Sequence, residues 1–143
     1  MAFCSSLDIV GSALTAERLR TDIITQNLAN ANTTKTSSGE PYRRQVVAFE
    51  EIPLSFADEL NKAQAKGGGV KVSNIEKSQA EFKLIYDPTN PDANAEGYVQ
   101  TSNVDTTEEQ VDLLAASNAY DANLTALSVV KAMINKTLEM GSK

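Results

Sequence analysis

The sequence contains no His, no Trp and a single Cys, Cys4. Without His, neither a Ser-His-Asp nor a Cys-His catalytic group can be built, and zinc sites of the Cys/His type are excluded. One Cys cannot close an intrachain disulfide. Lacking a His partner, Cys4 reads as a small apolar contact or an exposed terminus, not as a nucleophile. No run of eighteen apolar residues occurs, so a conventional membrane-spanning helix is not expected. Basic residues are also scarce: thirteen Lys and Arg stand against nineteen Asp and Glu, for a net charge of −6. Phosphate recognition needs a positive surface, so no nucleic-acid partner is expected. Lys66-Gly67-Gly68-Gly69-Val70-Lys71 is not a phosphate loop, since no Gly-Lys-Ser/Thr follows. The stretch from Asn90 to Asn94 begins like a calcium loop. It has Ala95 where such a loop needs Gly and Thr101 where it needs the closing acid. No catalytic residue, metal, cofactor or small-molecule substrate is expected. The opening Met-Ala-Phe-Cys-Ser-Ser has neither a basic nor an apolar segment, so no cleavable signal peptide is expected. The chain would then stay in the cytoplasm or leave by a route that reads something else.

What is present suits one domain with extended ends: 143 residues, 41% hydrophobic and 22% charged. The acidity is concentrated. Residues 1–44 carry a net charge of +1, residues 45–110 carry −7, and residues 111–143 are neutral. The middle reads as a solvated module; a cation-binding acidic patch is the alternative. Net-neutral ends do not repel copies of themselves.

The spacing predicts a helix from about Ser5 to Asn30. Ser5-Ser6-Leu7-Asp8 offers a capping box. Leu7, Val10, Leu14, Ile24, Leu28 and Ala31 form one stripe, with Glu17 and Thr21 filling the gaps. Ile9, Ala13, Ala16 and Ile23 form a second. Asn30-Ala31-Asn32-Thr33-Thr34 should end the helix. A polar loop through Gly39 and Pro41 follows. Strands are expected at Tyr42–Ile52, Val70–Ile75 and Phe82–Tyr86, with a short one at Gly97–Gln100. Residues 53–66 read equally as short helix or loop. Asp87 to Glu96 is a loop rich in Asp, Asn and Pro. Asp105-Thr106-Thr107-Glu108-Glu109-Gln110 supplies overlapping caps and puts acid where the helix dipole favours it. A final helix should run from about Thr107 to Met140, with Lys131, Lys136 and Lys143 toward its end.

The reading is therefore α+β: long N- and C-terminal helices paired as a coiled-coil-like layer, with a small β-rich middle module. It divides into residues 1–34, 35–104 and 105–143. The last helix is apolar around much of its circumference. Leu113, Ala116, Tyr120, Leu127, Val130 and Ile134 form one line; Leu114, Ala115, Ala119, Ala122, Ala126, Val129 and Met133 occupy other faces. Such a helix must be buried nearly all round. The first helix covers one stripe only, so other protein chains are expected on the rest. A compact antiparallel bundle that buries everything internally is the rival. The amides Asn27, Asn30, Asn118, Asn123 and Asn135 either fix register between helices or face water.

The terminal segments carry a resemblance. Ser6-Leu7-Asp8-Ile9, then Ala13 through Thr34 (Ala-Leu-Thr-Ala-Glu-Arg-Leu-Arg-Thr-Asp-Ile-Ile-Thr-Gln-Asn-Leu-Ala-Asn-Ala-Asn-Thr-Thr), resembles the N-terminal motif of bacterial flagellar rod and hook proteins. Glu96-Gly97-Tyr98-Val99, Asn103-Val104-Asp105, Val111-Asp112 and Ala116-Ser117-Asn118-Ala119-Tyr120-Asp121-Ala122-Asn123 resemble the matching C-terminal motif. Gly39-Glu40-Pro41-Tyr42-Arg43-Arg44 and Tyr86-Asp87-Pro88-Thr89-Asn90-Pro91-Asp92-Ala93 point within that family to the proximal rod. Asn118 stands where family members often carry Arg. The resemblance implies a structural rod subunit of the basal body in the periplasm, exported by the flagellar type III apparatus without a cleaved signal peptide. Such a subunit is expected to polymerise head-to-tail through its terminal helices, forming drive shaft and export channel. Implied partners are proximal and distal rod proteins, the basal-body base and the export gate. The expected assembly surface is Leu7, Val10, Leu14, Ile23, Ile24, Asn27, Leu28, Asn30 and Asn32 of the first helix. On the last it is Leu113, Leu114, Asn118, Tyr120, Asn123, Leu127, Val130, Ile134 and Leu138. A soluble helical adaptor or chaperone-like binding protein is the alternative.

Overall fold

A computed structural model describes residues 2–53 and 68–141. Helix α1 spans Ala2–Ala29 and helix α2 spans Thr106–Gly141. Between them lie four strands: β1 (Gln45–Glu51), β2 (Val70–Lys77), β3 (Lys83–Tyr86) and β4 (Tyr98–Thr101). The strands pair as two separate antiparallel ribbons, β1 with β2 and β3 with β4. The α+β class with long terminal helices and a small strand module is as the sequence predicts.

α1 begins three residues earlier than expected. Ser5-Ser6-Leu7-Asp8 therefore lies inside the helix and does not cap it. Nothing in Ala2-Phe3-Cys4 breaks a helix, so the helical run continues back to Ala2. Its C-terminal end is as expected: Asn30, Ala31 and Thr33 donate backbone hydrogen bonds to the last carbonyls. The start of α2 is capped by Asp105, whose Oδ1 accepts the amides of Thr107 at 2.9 Å and Glu108 at 3.4 Å. Those two bonds, with Lys83 nearby, hold the Asp105 carboxyl below its ordinary 3.8. Among the described residues the last turn of α2 carries no base. Lys136 pairs with Glu139 at 3.0 Å instead, and Lys143 lies outside the described residues.

The β1–β2 ribbon runs from Gln45↔Lys77 to Glu51↔Val70, with a register shift between Ala48 and Phe49. Half-buried Val70 and Val72 alternate with exposed Lys71 and Ser73, as expected; beyond the shift Ile75 is exposed. Residues 54–67, which include most of the ambiguous segment, lie outside the description. In the β3–β4 ribbon the Tyr86 and Tyr98 rings meet edge-on at 5.3 Å. Gly97, at φ +84°, makes the turn into β4; a Cβ there would lie 2.9 Å from the Tyr86 ring. The loop before it is built from Asx turns: Asp87, Asn90 and Asn94 each accept the amide two residues on.

α1 and α2 pack antiparallel, since Asn27 meets Glu109, Arg20 meets Asp112, and Arg18 and Thr21 lie near Ser117 and Asp121. At 1.5 Å per residue they are about 42 and 54 Å long, so α2 outreaches its partner. Every residue from 135 to 141 is exposed. The buried side chains gather at the other end: Ala16, Ile23, Ile24, Asn27 and Ala31 with Val99, Val104, Glu109 and Ala116. Beyond Ala116, α2 buries no residue.

Candidate functional site: helix surfaces and the polar hub

Two features concern function: the surface of α2, and a polar cluster fixing the helix pair at its ordered end. Asn27 is the centre of that cluster and only 1% exposed. Its Nδ2 donates to Gln45 O at 2.8 Å and Glu109 Oε2 at 3.0 Å. Its Oδ1 accepts from the Gln45 amide and the Tyr42 hydroxyl, both at 3.0 Å. All four hydrogen-bonding positions of the amide are filled. Asn27 thus serves β1 as a strand neighbour would, while reaching α2 with the same nitrogen.

Glu109, also 1% exposed, receives Arg44 Nε on its other oxygen. The same guanidinium donates to Asp112 at 3.0 Å and lies 3.4 Å from Glu108. The Arg44 amide donates to Asn103 Oδ1 at 2.7 Å. Burial opposes the Arg44 charge, but the hydrogen bond and charge of Glu109, with Glu108 and Asp112, outweigh it and raise its pKa. Burial also raises the Tyr42 pKa, with help from the Glu109 charge. A buried carboxylate is tolerated only when paired and hydrogen-bonded; Glu109 is both. Beside this hub a cleft of about 250 Å³ opens between α1, β1 and α2, lined by Ile23, Ile24, Val46 and Phe49 with Arg20 and Asp112.

The sequence reading placed Asn27 among amides able to fix register, but it missed Tyr42, Arg44, Asn103 and Glu109. A signal for Glu109 exists. It lies on the line that continues through Leu113, Ala116, Tyr120, Asn123, Leu127, Val130 and Ile134 at steps of three and four. An acid on an apolar line calls for a buried cation partner.

The expected assembly residues divide into three groups. Ile23, Ile24 and Asn27 are buried within the chain itself. Leu7, Val10, Leu14, Leu28, Asn30, Leu113, Asn123, Leu127, Val130 and Ile134 are half-buried. Asn32, Leu114, Asn118, Tyr120 and Leu138 are exposed. Of the other amides, Asn123 Nδ2 donates to Ala119 O and Asn30 Nδ2 to Gln26 O, each within its own helix. Asn135 is exposed.

α2 also carries a second apolar line. Val111, Ala115, Ala122, Ala126, Val129, Met133 and Met140, with Asn118 and Lys136 between them, recur at steps of three and four and are all exposed. Val111, Val129, Met133 and Met140 stand 48–66% exposed. A third line, Gln110, Leu114, Ser117, Asp121, Thr125, Ser128, Ala132, Asn135 and Glu139, is polar except for exposed Leu114 and Ala132. The outer face of α1 is different: Asp8, Gly11, Thr15, Arg18, Asp22 and Gln26 are exposed and leave no apolar line there. Among the described residues, no group of His, Cys, Asp and Glu could hold a metal ion. No described helix is long and apolar enough to cross a membrane.

Comparison with known proteins identifies both ends. Residues 7–35 match the family described as "Flagella basal body rod protein". Residues 95–140 match "Flagellar basal body rod FlgEFG protein C-terminal". The chain is 47% identical to the flagellar basal-body rod protein FlgC of Bacillus subtilis, over 95% of this chain and 96% of that one. It is 44% identical to FlgC of Escherichia coli over 99% of each chain. It is 38% identical to FlgC of Borreliella burgdorferi over 96% of this chain and 97% of that one. The chain belongs to the FlgC family of flagellar basal-body rod proteins.

Proposed function

We propose that this protein is a structural subunit of the proximal rod that assembles through its terminal helices, with the exposed apolar line of α2 as the principal contact. The observation that carries this reading is the line from Val111 to Met140. It is about 44 Å long, has small residues at Ala115, Ala122 and Ala126 that permit close helix approach, and is covered by nothing in the described chain. A face of this kind on a lone subunit marks a protein–protein contact. Its partners would be copies of this chain and other rod proteins, with apolar burial at roughly 25 cal/mol per Å² offsetting the entropy of ordering. A heterologous, head-to-tail contact propagates as a helical array, which suits a shaft around a channel. The acidic middle would face outward: Glu50, Glu51, Glu76, Glu81, Asp92 and Glu96 are all exposed. Marginal helix ends also suit passage through a type III export channel, with the rod standing in the periplasm. The adaptor alternative is not favoured by the family.

The test is the double variant Val129→Asp/Met133→Asp in a motile host. Both positions are exposed, so the lone chain should melt within about 0.5 kcal/mol of wild type, while rod incorporation and motility are lost. Normal motility with the variant in purified basal bodies would remove α2 as the assembly face.

A further inference from the structure

The charge of α2 is divided along its length. Asp105, Glu108, Glu109, Asp112 and Asp121 stand at its start, with no Lys or Arg among them. From Ala122 onward Lys131, Lys136 and Lys143 stand against Glu139 alone. α2 is also longer than α1 by about 12 Å, and most of the excess projects at its C-terminal end as a single helix with every residue from 135 to 141 exposed. The stripe half-buried at Leu127, Val130 and Ile134 runs on to Leu138, which is 67% exposed. Met133 and Met140 are exposed beside it, with Lys131 and Lys136 between the apolar side chains. The opposite end of the same helix is apolar too. Val111 and Leu114 are more than half exposed there, and Asp105, Thr107, Glu108, Val111 and Asp112 line an open recess of about 420 Å³. Arg20, Arg44 and Lys83 offset these carboxylates in part. The Asp105 and Glu108 side chains nevertheless stay more than half exposed.

Because both ends of α2 are apolar, burial alone favours no orientation between neighbours. Charge does. Tip against tip, start against start, or two helices side by side in register sets like charge on like charge. Tip against start sets lysine on carboxylate. An exposed ion pair adds little affinity, but like charges in contact are penalised, so charge fixes which ends meet. A contact between unlike ends does not close on itself and therefore repeats. We infer that the projecting tip of α2 docks on the next subunit along the rod, at a last-helix start where an aliphatic side chain stands among carboxylates, as Val111 does in this chain. Met133, Leu138 and Met140 supply the apolar contact; Lys131 and Lys136 set its direction. The inference rests on α2 as the assembly surface and adds which part of the neighbour its tip meets.

Purified basal bodies, in which the subunit is in place, provide the test. A photoreactive benzophenone side chain replaces Leu138, and mass spectrometry locates the adduct. The adduct is expected within about three turns of the start of a neighbour's last helix, in a segment rich in carboxylates. An adduct on a neutral or basic segment, on a strand module, or no adduct at all would overturn the docking. An adduct farther along a neighbour's helix would overturn it as well, while leaving α2 as an assembly surface; the Val129→Asp/Met133→Asp variant decides that separate question. Lys131→Glu/Lys136→Glu should lower incorporation into basal bodies about 10-fold, whereas Lys131→Arg/Lys136→Arg should stay within about 2-fold of wild type. Equal incorporation of the two double variants would mean that charge does not choose the end, and the inference would fall.

Discussion

The two ends of the helix pair are built from similar residues and meet different fates. At the hub end, Asn27, Arg44 and Glu109 bind α1, β1 and α2 together, and the ribbon covers α1. At the far end, Val129, Met133, Leu138 and Met140 stand exposed, and α2 extends past its partner. Apolar content alone does not set order; what covers it does. A helix covered on one side keeps an apolar line available, whereas one covered on two sides can make its third face polar, as α1 does. The chain thus separates a self-sufficient end from an end that wants neighbours.

The sharpest way to break this contrast is to destroy the hub. Asn27→Ala leaves the Gln45 backbone, the Tyr42 hydroxyl and one Glu109 oxygen without their partner in a buried place. It should lower the stability of the lone chain by about 3–5 kcal/mol in urea melts. A matched pair of truncations sharpens it further. Ile23→Ala, in the buried half, should cost about 2–4 kcal/mol, and Leu138→Ala, on the exposed tip, within about 0.5 kcal/mol. Equal costs would mean that the far end is as well packed as the hub.

A smaller effect runs the other way. Glu17 interrupts the half-buried line Leu7, Val10, Leu14, Thr21. Its Oε2 is buried with no hydrogen-bond partner among the described residues, and Arg20 lies 4.0 Å away. Glu17→Leu should raise the stability of the lone chain by about 1 kcal/mol in urea melts, by removing a poorly compensated charge. The smallest effect is the cap of α2. The folded pKa of Asp105 is depressed below 3.8. Its charge therefore adds stability that is fully present above 3.8 and lost as pH falls through the folded value. Thermal melts of wild type and Asp105→Asn should differ slightly at pH 7 and converge in strong acid. A difference that persists there would assign it to something other than this charge.

Much of the architecture is readable from the residues. The three–four spacing and the absence of Gly and Pro from Thr106 to Met140 give α2, and Asp105 gives its cap. Alternation at Val70–Ser73 gives a strand, and the Asp/Asn-rich run after Tyr86 gives a turn-rich loop. The start of α1 was misplaced because a capping pattern inside a helix looks the same as one at its end. The hub was mostly invisible because its members lie far apart in the chain: Asn27 and Glu109 are brought together only by antiparallel packing, and Arg44 only by the path of the loop before β1.

Two long helices flanking an acidic strand module, and an α2 with more apolar surface than one partner can cover, are written in the order of the residues, because periodicity and composition are local properties of the chain. Which line is covered and which stays open, which of the amides is buried, and why Gly69, where a Cβ would fall 2.2 Å from Ser12 Oγ, must be small emerge only on folding. Those outcomes depend on distances between residues remote in sequence, and only the folded backbone sets them.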